Sequence, residues 1–123
     1  METFGSYLKE LRLLKGYGLR AFAEKIGMYP SNLSDIERGK KSPPRDAEKL
    51  AFIAVVLGID RNSDEWVKLH DLSVRDVPGR LAPDVSKYVS ESKMVPLLLR
   101  TTAEKKLTKE ELLKLIETIK KKF

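Results

Sequence analysis

Four cationic side chains lie close together near the middle of the sequence. The eight residues from 38 to 45 contain no acid, and their cations are Arg38, Lys40, Lys41 and Arg45. Lysine and arginine side chains bind phosphate groups through charge and hydrogen bonding. The formal net charge of +6 is compatible with a nucleic-acid partner, although many proteins that bind none are equally basic. The position of these cations therefore indicates more than the total charge does.

Other kinds of chemistry lack the residues that they need. The sequence contains no cysteine, which excludes disulfides and thiolate metal sites, and His70 is its one histidine. It also contains no nucleophile paired with a base and no phosphate-binding glycine loop. We therefore expect no enzymatic activity, no cofactor and no metal site. His70 is expected to pack or to face solvent.

The stretch LRAFAEKIGMYPSNLSDIERG, residues 19 to 39, comes directly before most of the cations. It predicts two short helices joined by a tight turn, with Ala23 where the helices cross and Gly27 in a left-handed conformation. The apolar residues fall on one face of each helix and are Phe22, Ile26, Leu33 and Ile36. Such a pair of helices can pack at a steep angle.

Helical spacing continues on both sides of this pair and predicts a bundle of five helices over residues 1–76. The predicted helices cover 3–15, 19–26, 30–38, 45–57 and a last stretch from the cap at 62–65 through Leu72. One broad apolar face is expected on the fourth helix, formed by Ala47, Leu50, Ala51, Ala54, Val55 and Leu57. Trp66 is expected to anchor the fifth helix in the core.

Residues 77–123 are predicted to form a separate helical segment. Two short helices are expected over 84–92 and 96–102, between the breaks at Pro78, Pro83 and Pro96. Thr108 and Glu111 have the spacing of a capping box at the start of a final helix. That helix carries an apolar stripe, Leu112, Leu115, Ile116 and Ile119. The sequence thus predicts an all-α protein with two parts.

The central stretch also resembles a known family. Its pattern is Ala23, then Gly27, then hydrophobic residues six and nine positions later, then the acid-X-glycine sequence Glu37-Arg38-Gly39. This pattern is similar to the helix-turn-helix of the Cro/cI family of DNA-binding regulators, also called the XRE family. The resemblance extends from Phe4 to about Ile59 and implies a lambda repressor-like fold. The alternative is an unrelated helical hairpin.

The resemblance implies which residues contact bases. A helix fits the major groove of B-DNA, where side chains near its N-terminus reach base edges. By position, the residues that face the groove are Pro30, Ser31, Asn32 and Asp35. Asn32 can pair with adenine through two hydrogen bonds, Ser31 can donate or accept, and Asp35 can accept from cytosine N4. Pro30 offers only apolar contact. Alternatively, Ser31 and Asp35 only solvate an exposed face, or Asp35 repels incorrect sequences.

Phosphate contacts are expected around this helix, where they hold it in register without specifying sequence. The candidates are Arg20, Tyr29, Arg38, Lys40, Lys41 and Arg45, joined by the N–H groups near Leu19 and Arg20 at the start of the second helix. Relatives usually have glutamine at the position of Leu19, and leucine cannot bind phosphate, so Arg20 is the candidate replacement. Alternatively, these cations form an ordinary solvated loop.

The resemblance implies a structural role for Arg12 and Glu37. In related proteins, an arginine of the first helix pairs with a glutamate at the end of the recognition helix, and both residue types stand at matching positions here. We therefore expect an ion pair that ties these two helices together. Arg12 is accordingly not the first choice as a DNA ligand.

Three classes of function remain at this point. The first is a transcriptional regulator, expected to be a homodimeric repressor that binds an inverted repeat in double-stranded DNA, with residues 79–123 supplying or buttressing the dimer contact. The apolar stripe of the last helix could cover the bundle of its own chain or that of a partner. The second is an antitoxin that regulates its own operon and binds a toxin through the same segment. The third is an interaction module independent of DNA. No apolar run is long enough to span a membrane and no signal peptide is evident, so a cytoplasmic location is expected.

Overall fold

The computed structural model describes residues 2–77 and 79–123, and this part of the chain forms eight helices without strands. The all-α prediction is therefore confirmed. The helices are α1 (Phe4–Leu14), α2 (Leu19–Lys25), α3 (Pro30–Glu37), α4 (Ala47–Val56), α5 (Asp64–Ser73), α6 (Pro83–Glu91), α7 (Met94–Lys105) and α8 (Lys109–Lys122).

Polar caps determine where several helices begin. Thr3 and Ser6 form a capping box at α1, so the helix begins at Phe4 and not at residue 3. Asp46 accepts a hydrogen bond from the Glu48 N–H at 3.1 Å, which places the start of α4 at Ala47 and not at 45. The other helices of the bundle begin within a residue or two of the predicted positions.

The C-terminal helices differ more from the prediction. α6 covers 83–91 and not 84–92, and α7 covers 94–105 and not 96–102. Proline is tolerated in the first turn of a helix because the N–H that it lacks has no intrahelical partner there. Pro96 therefore lies within the first turn of α7 and does not begin it. Lys106 then ends α7 in a left-handed conformation, with φ of 50°.

The predicted capping box of α8 is present. The Glu111 N–H donates to Thr108 Oγ1 at 3.2 Å, and the Thr108 N–H donates to Glu111 Oε1 at 3.0 Å. The hydrogen bond from the Thr108 backbone lowers the pKa of the Glu111 carboxyl. The last turn carries Lys120, Lys121 and Lys122, where cations complement the helix dipole.

The core is built from α1 to α5. Phe22 and Ala23 of α2, Ile26 directly after it and Leu33 of α3 are fully buried, as expected from their spacing. The predicted face of α4 is wrong in part, because Val55 is 69% exposed whereas Ile53 is fully buried. α4 is apolar on most sides, so periodicity alone could not select the face that packs.

Trp66 and His70 of α5 complete this core. Trp66 is buried, as predicted, and its Nε1 donates to Asp84 Oδ2 at 3.0 Å. His70 is 1% exposed, so the structure selects the packing role over the solvent-facing one. Its Nδ1 lies 2.8 Å from the Trp66 carbonyl oxygen, which only accepts, so Nδ1 carries the proton. The two rings stack with their centroids 4.3 Å apart.

Packing divides the chain into two units, one that ends at Ser86 and one that spans Lys87–Phe123. The functional boundary predicted from the sequence lies earlier, after residue 76, and that division stays a prediction. The hydrogen bond between Trp66 and Asp84 explains the later position, because it holds the first turn of α6 to α5. Within the second unit, no residue of α7 or α8 is buried.

Membrane-spanning helices are not found among the described residues. No helix there combines the length and the apolar character needed to cross a bilayer.

α1 crosses α3 at a backbone contact. A Cβ atom added to Gly5 would lie 2.2 Å from the Ile36 carbonyl oxygen and 2.7 Å from that of Glu37. Only glycine allows this approach, because any other side chain would overlap the last turn of α3. Gly5 was not among the residues singled out in the sequence, although a glycine inside a predicted helix often marks a close contact.

A buried ion pair lies beside this crossing. Arg12 Nε donates to Glu37 Oε2 at 2.8 Å, and Arg12 Nη2 donates to Oε1 at 3.0 Å. The two side chains are only 7% and 5% exposed. Arg12 Nη1 also donates to the Tyr17 carbonyl oxygen at 2.9 Å. The expected pair is thus present, and it joins α1 to α3 and to the turn before α2.

Removal of one partner of this pair should destabilise the fold. We expect Glu37→Ala to lower the free energy of unfolding by about 3 to 5 kcal/mol, because the Arg12 guanidinium is left buried without its counter-charge. Denaturant unfolding followed by circular dichroism measures this change. The exposed Glu10→Ala is the control and should stay within about 0.5 kcal/mol of the wild type. The double variant Arg12→Met with Glu37→Leu should recover much of the loss, and an unchanged stability of Glu37→Ala would contradict the role of the pair.

A methyl group at Gly5 should separate α1 from α3. We expect Gly5→Ala to cost at least about 1 to 3 kcal/mol, since the backbone must move to relieve the overlap. The control is Gly18→Ala, where the added Cβ meets no atom within 4 Å. Thermal unfolding of both variants tests the contact, and equal melting temperatures would argue against it.

Candidate nucleic-acid interface

α2 and α3 form the central pair of helices, and a glycine turn joins them. The Met28 N–H donates to the Ala23 carbonyl oxygen at 2.8 Å, and the Gly27 N–H donates to that of Glu24 at 3.2 Å. Gly27 has φ of 70°, as predicted, and this set of hydrogen bonds is a Schellman motif. Lys49 of α4 donates from Nζ to the Ile26 carbonyl oxygen at the same helix end. The turn is therefore fixed from two sides.

α3 has an inner and an outer face. Leu33, Ile36 and Glu37 are buried on the inner face. Ser31 and Arg38 are exposed, and Asn32 and Asp35 are half-buried. Residues 31, 35 and 38 recur at the spacing of one helix side, with Asn32 next to them. Three of the four residues expected to contact bases, Ser31, Asn32 and Asp35, therefore lie on the side of α3 that the core does not use.

The start of α3 has no side-chain cap. Tyr29 occupies the N-cap position with extended backbone angles, and Pro30 is the first residue of the helix. Tyr29 is 77% exposed, so its hydroxyl group is available at this end of the outer face. Arg20 is exposed in the first turn of α2. Pro30 is half-buried. It has no N–H and no polar side-chain atom, so it can offer only apolar contact.

Three of the predicted site residues contact one another beside Asn32. Asp35 lies 3.4 Å from Arg38 Nη2 and 3.8 Å from Lys41 Nζ. Lys41 also donates to Asn32 Oδ1 at 2.5 Å. The structure therefore joins Asn32, Asp35, Arg38 and Lys41 in one cluster on the outer face of α3.

Lys40 and Arg45 line a cavity of about 340 Å³ together with Lys41, Asp76 and Arg80. This cavity has four cationic side chains and one carboxylate in its lining. Its surroundings are thus positively charged. Arg80 was not identified in the sequence, because it comes close to the other three cations only through folding.

The family comparison agrees with this geometry. The family model described as a helix-turn-helix domain matches residues 3–65, just over half of the chain. No curated protein and no solved structure matches the chain. The match agrees with the resemblance to the Cro/cI family, and its range contains the α2–α3 pair. The chain therefore belongs to the helix-turn-helix family, and this membership supports a DNA-binding regulator.

Proposed function

We propose that the protein is a sequence-specific transcriptional regulator that places α3 in the major groove of double-stranded DNA. The observation that carries this proposal is the division of α3 into two faces. Its inner face holds the helix to the core, and its outer face combines hydrogen-bonding side chains with cations. A helix that contacts base edges and phosphates needs both properties.

Base recognition is assigned to the first half of α3. Asn32 pairs with adenine through its amide, Ser31 donates or accepts, and Asp35 accepts from cytosine N4. Pro30 contributes apolar contact at the N-terminal end of the helix. The position of Ser31, Asn32 and Asp35 on the outer face supports this assignment, because that face is the part of α3 that solvent reaches.

Phosphate binding is assigned to side chains around the helix. Lys40 and Arg45 follow α3, Arg38 ends it, and Arg20 and Tyr29 lie near the starts of α2 and α3. The positive surroundings of Lys40 and Arg45 support their contact with the DNA backbone.

Dimer formation is assigned to the segment 79–123. One helix-turn-helix contacts about half of an operator, and two copies bind half-sites about 34 Å apart. Leu112, Ile116 and Ile119 of α8 are 40 to 47% exposed, and Leu115 is half-buried. Burial of this stripe against a second copy would remove apolar surface from water. A dimer bound at a promoter would act as a repressor by excluding polymerase.

The same apolar stripe favours a second candidate, an antitoxin. Such a protein would bind operator DNA through α3 and a toxin through α8. The two candidates differ in what covers the stripe. A repressor of the first kind forms a homodimer without any other protein, whereas an antitoxin forms a tight complex with a different chain.

Selection from a random pool of duplexes tests the proposed function. At about 150 mM salt, we expect enrichment of an inverted repeat with half-site centres about one helical turn apart. Binding without any enrichment, sensitive only to salt, would contradict sequence-specific recognition. Failure to bind any duplex would support a DNA-independent role.

Two substitutions should separate base contacts from phosphate contacts on the selected duplex. We expect Asn32→Ala to cost about 1 to 3 kcal/mol of binding free energy at one base position. Lys40→Ala should weaken binding to all sequences alike and lower the salt dependence by about one unit of slope. Fluorescence anisotropy over a range of salt concentrations measures both effects. Equal losses on every sequence from Asn32→Ala would show that Asn32 only positions the protein.

Charged residues on the stripe of α8 should prevent dimer formation. We expect the full-length variant with Leu112→Glu and Ile116→Glu to be monomeric at micromolar concentration, since burial of the carboxylates is unfavourable. The control is Lys114→Glu, which lies on the opposite side of α8 and should leave the dimer intact. Analytical ultracentrifugation measures the mass of each variant. A dimeric double variant would exclude this stripe as the interface.

A further inference from the structure

Lys41 is anchored to α3 by its backbone and by its side chain. The N–H groups of Lys40 and Lys41 both donate to the Asp35 carbonyl oxygen, at 2.8 and 3.2 Å. The Lys41 ammonium group reaches back along the helix, where it donates to Asn32 Oδ1 and lies 3.8 Å from Asp35 Oδ2. Asn32 and Asp35 are three positions apart, so one lysine side chain spans both. These contacts restrict the conformations of the Lys41 side chain more than those of an ordinary lysine in a solvated loop.

This contact distinguishes the two ends of the Asn32 amide. An ammonium group only donates hydrogen bonds, so the amide must turn its oxygen toward Lys41 and its NH₂ group away. A flipped amide would direct its own donors at the donors of Lys41. The amide oxygen has two acceptor sites, so it can keep Lys41 and accept from a base as well. Lys41 therefore favours one orientation of Asn32 in the free protein.

The orientation matters for base recognition. Adenine presents the N7 acceptor beside the N6 donor in the major groove, and an asparagine amide matches them only when its own donor and acceptor lie in the corresponding order. A flipped amide offers the reverse order. A neighbouring charged group can therefore select the order in which the amide presents its donor and its acceptor to the base.

The same cation acts on Asp35. Its carboxylate would be repelled by the phosphates of an approaching duplex, and Arg38 and Lys41 lie 3.4 and 3.8 Å from it. Opposite charges at these distances reduce its net field. The cations therefore keep the outer face of α3 compatible with the DNA surface while Asp35 remains available to a base.

We propose that Lys41 is a positioning residue for base recognition, which selects the orientation of the Asn32 amide and so determines the base preference at the position that Asn32 contacts. The proposal rests on the proposed DNA-binding function. It gives Lys41 a different role from Lys40. Both residues are exposed, and it is Lys41 whose ammonium group contacts Asn32 and Asp35. A lysine that contacts only phosphate would affect affinity and not base preference.

The test uses the duplex selected by the wild-type protein and its three base substitutions at the position where Asn32→Ala loses discrimination. Lys41→Met keeps the length of the side chain and removes its charge, and Lys40→Met is the matched control. We expect Lys41→Met to reduce discrimination at this position by at least about fivefold. Lys40→Met should lower affinity for all four duplexes alike. Lys41→Arg should restore part of the discrimination, because it keeps the charge and the donors.

A double variant shows whether Lys41 acts through Asn32. If it does, Lys41→Met should reduce discrimination no further once Asn32→Ala is present. Equal weakening on all four duplexes by Lys41→Met, with a lower salt slope, would identify a phosphate contact and overturn the proposal. Independent losses in the double variant would overturn it too.

A measurement without DNA keeps this proposal distinct from the proposed function. The side-chain NH₂ signals of Asn32 can be assigned by their loss in Asn32→Ala and followed by nitrogen-proton NMR. We expect Lys41→Met to shift these signals and Lys40→Met to leave them in place. Unshifted signals would overturn the positioning role even if the protein selects a duplex. A shift together with no selected duplex would instead show that the contact exists and that the proposed function fails.

Discussion

At the crossing of α1 and α3, the hydrogen bonds of Arg12 to Glu37 and the missing side chain of Gly5 act on the same turn of α3. Gly5 lets the two backbones approach, and the ion pair fixes the end of α3 with two directed hydrogen bonds. The third donation of Arg12, to Tyr17, extends this control to the turn before α2. The orientation of α3 therefore depends on α1, and so does any surface that α3 presents.

The two faces of α3 make different contacts. Its buried residues meet the core of α1 and α2, so the helix has little freedom to rotate. Its outer residues are then held by cations that follow in the chain, Arg38 and Lys41. Exposed ion pairs contribute little to stability. The main effect of these contacts is therefore to restrict the orientation of the side chains. A rigid helix and oriented side chains are what recognition of base edges requires.

The unit Lys87–Phe123 differs from the bundle of α1 to α5 in how little of its apolar surface is buried. α8 begins at a capping box whereas α7 has no side-chain cap, and neither helix buries a residue. Short helices gain most of their stability from packing of an apolar face and not from propensity. The stripe of α8 is therefore expected to find a partner, and whether this partner is a second copy or another protein decides between the two candidate functions.

The sequence by itself determined the features that depend on neighbours along the chain. Local spacing was enough to predict the cap of α8 at Thr108, the cap of α5 at Ser63, the glycine turn at Gly27 and the buried residues of α2. The pairing of Arg12 with Glu37 joins residues far apart in the chain, and it was predicted from the family resemblance. Tertiary structure decided what depends on residues distant in sequence: the close contact at Gly5, the face of α4 that buries Ile53 and exposes Val55, and the contact of Lys41 with Asn32. An apolar helix has no periodic signal to select a face, and a lysine has many rotamers, so only the packed neighbours select one arrangement.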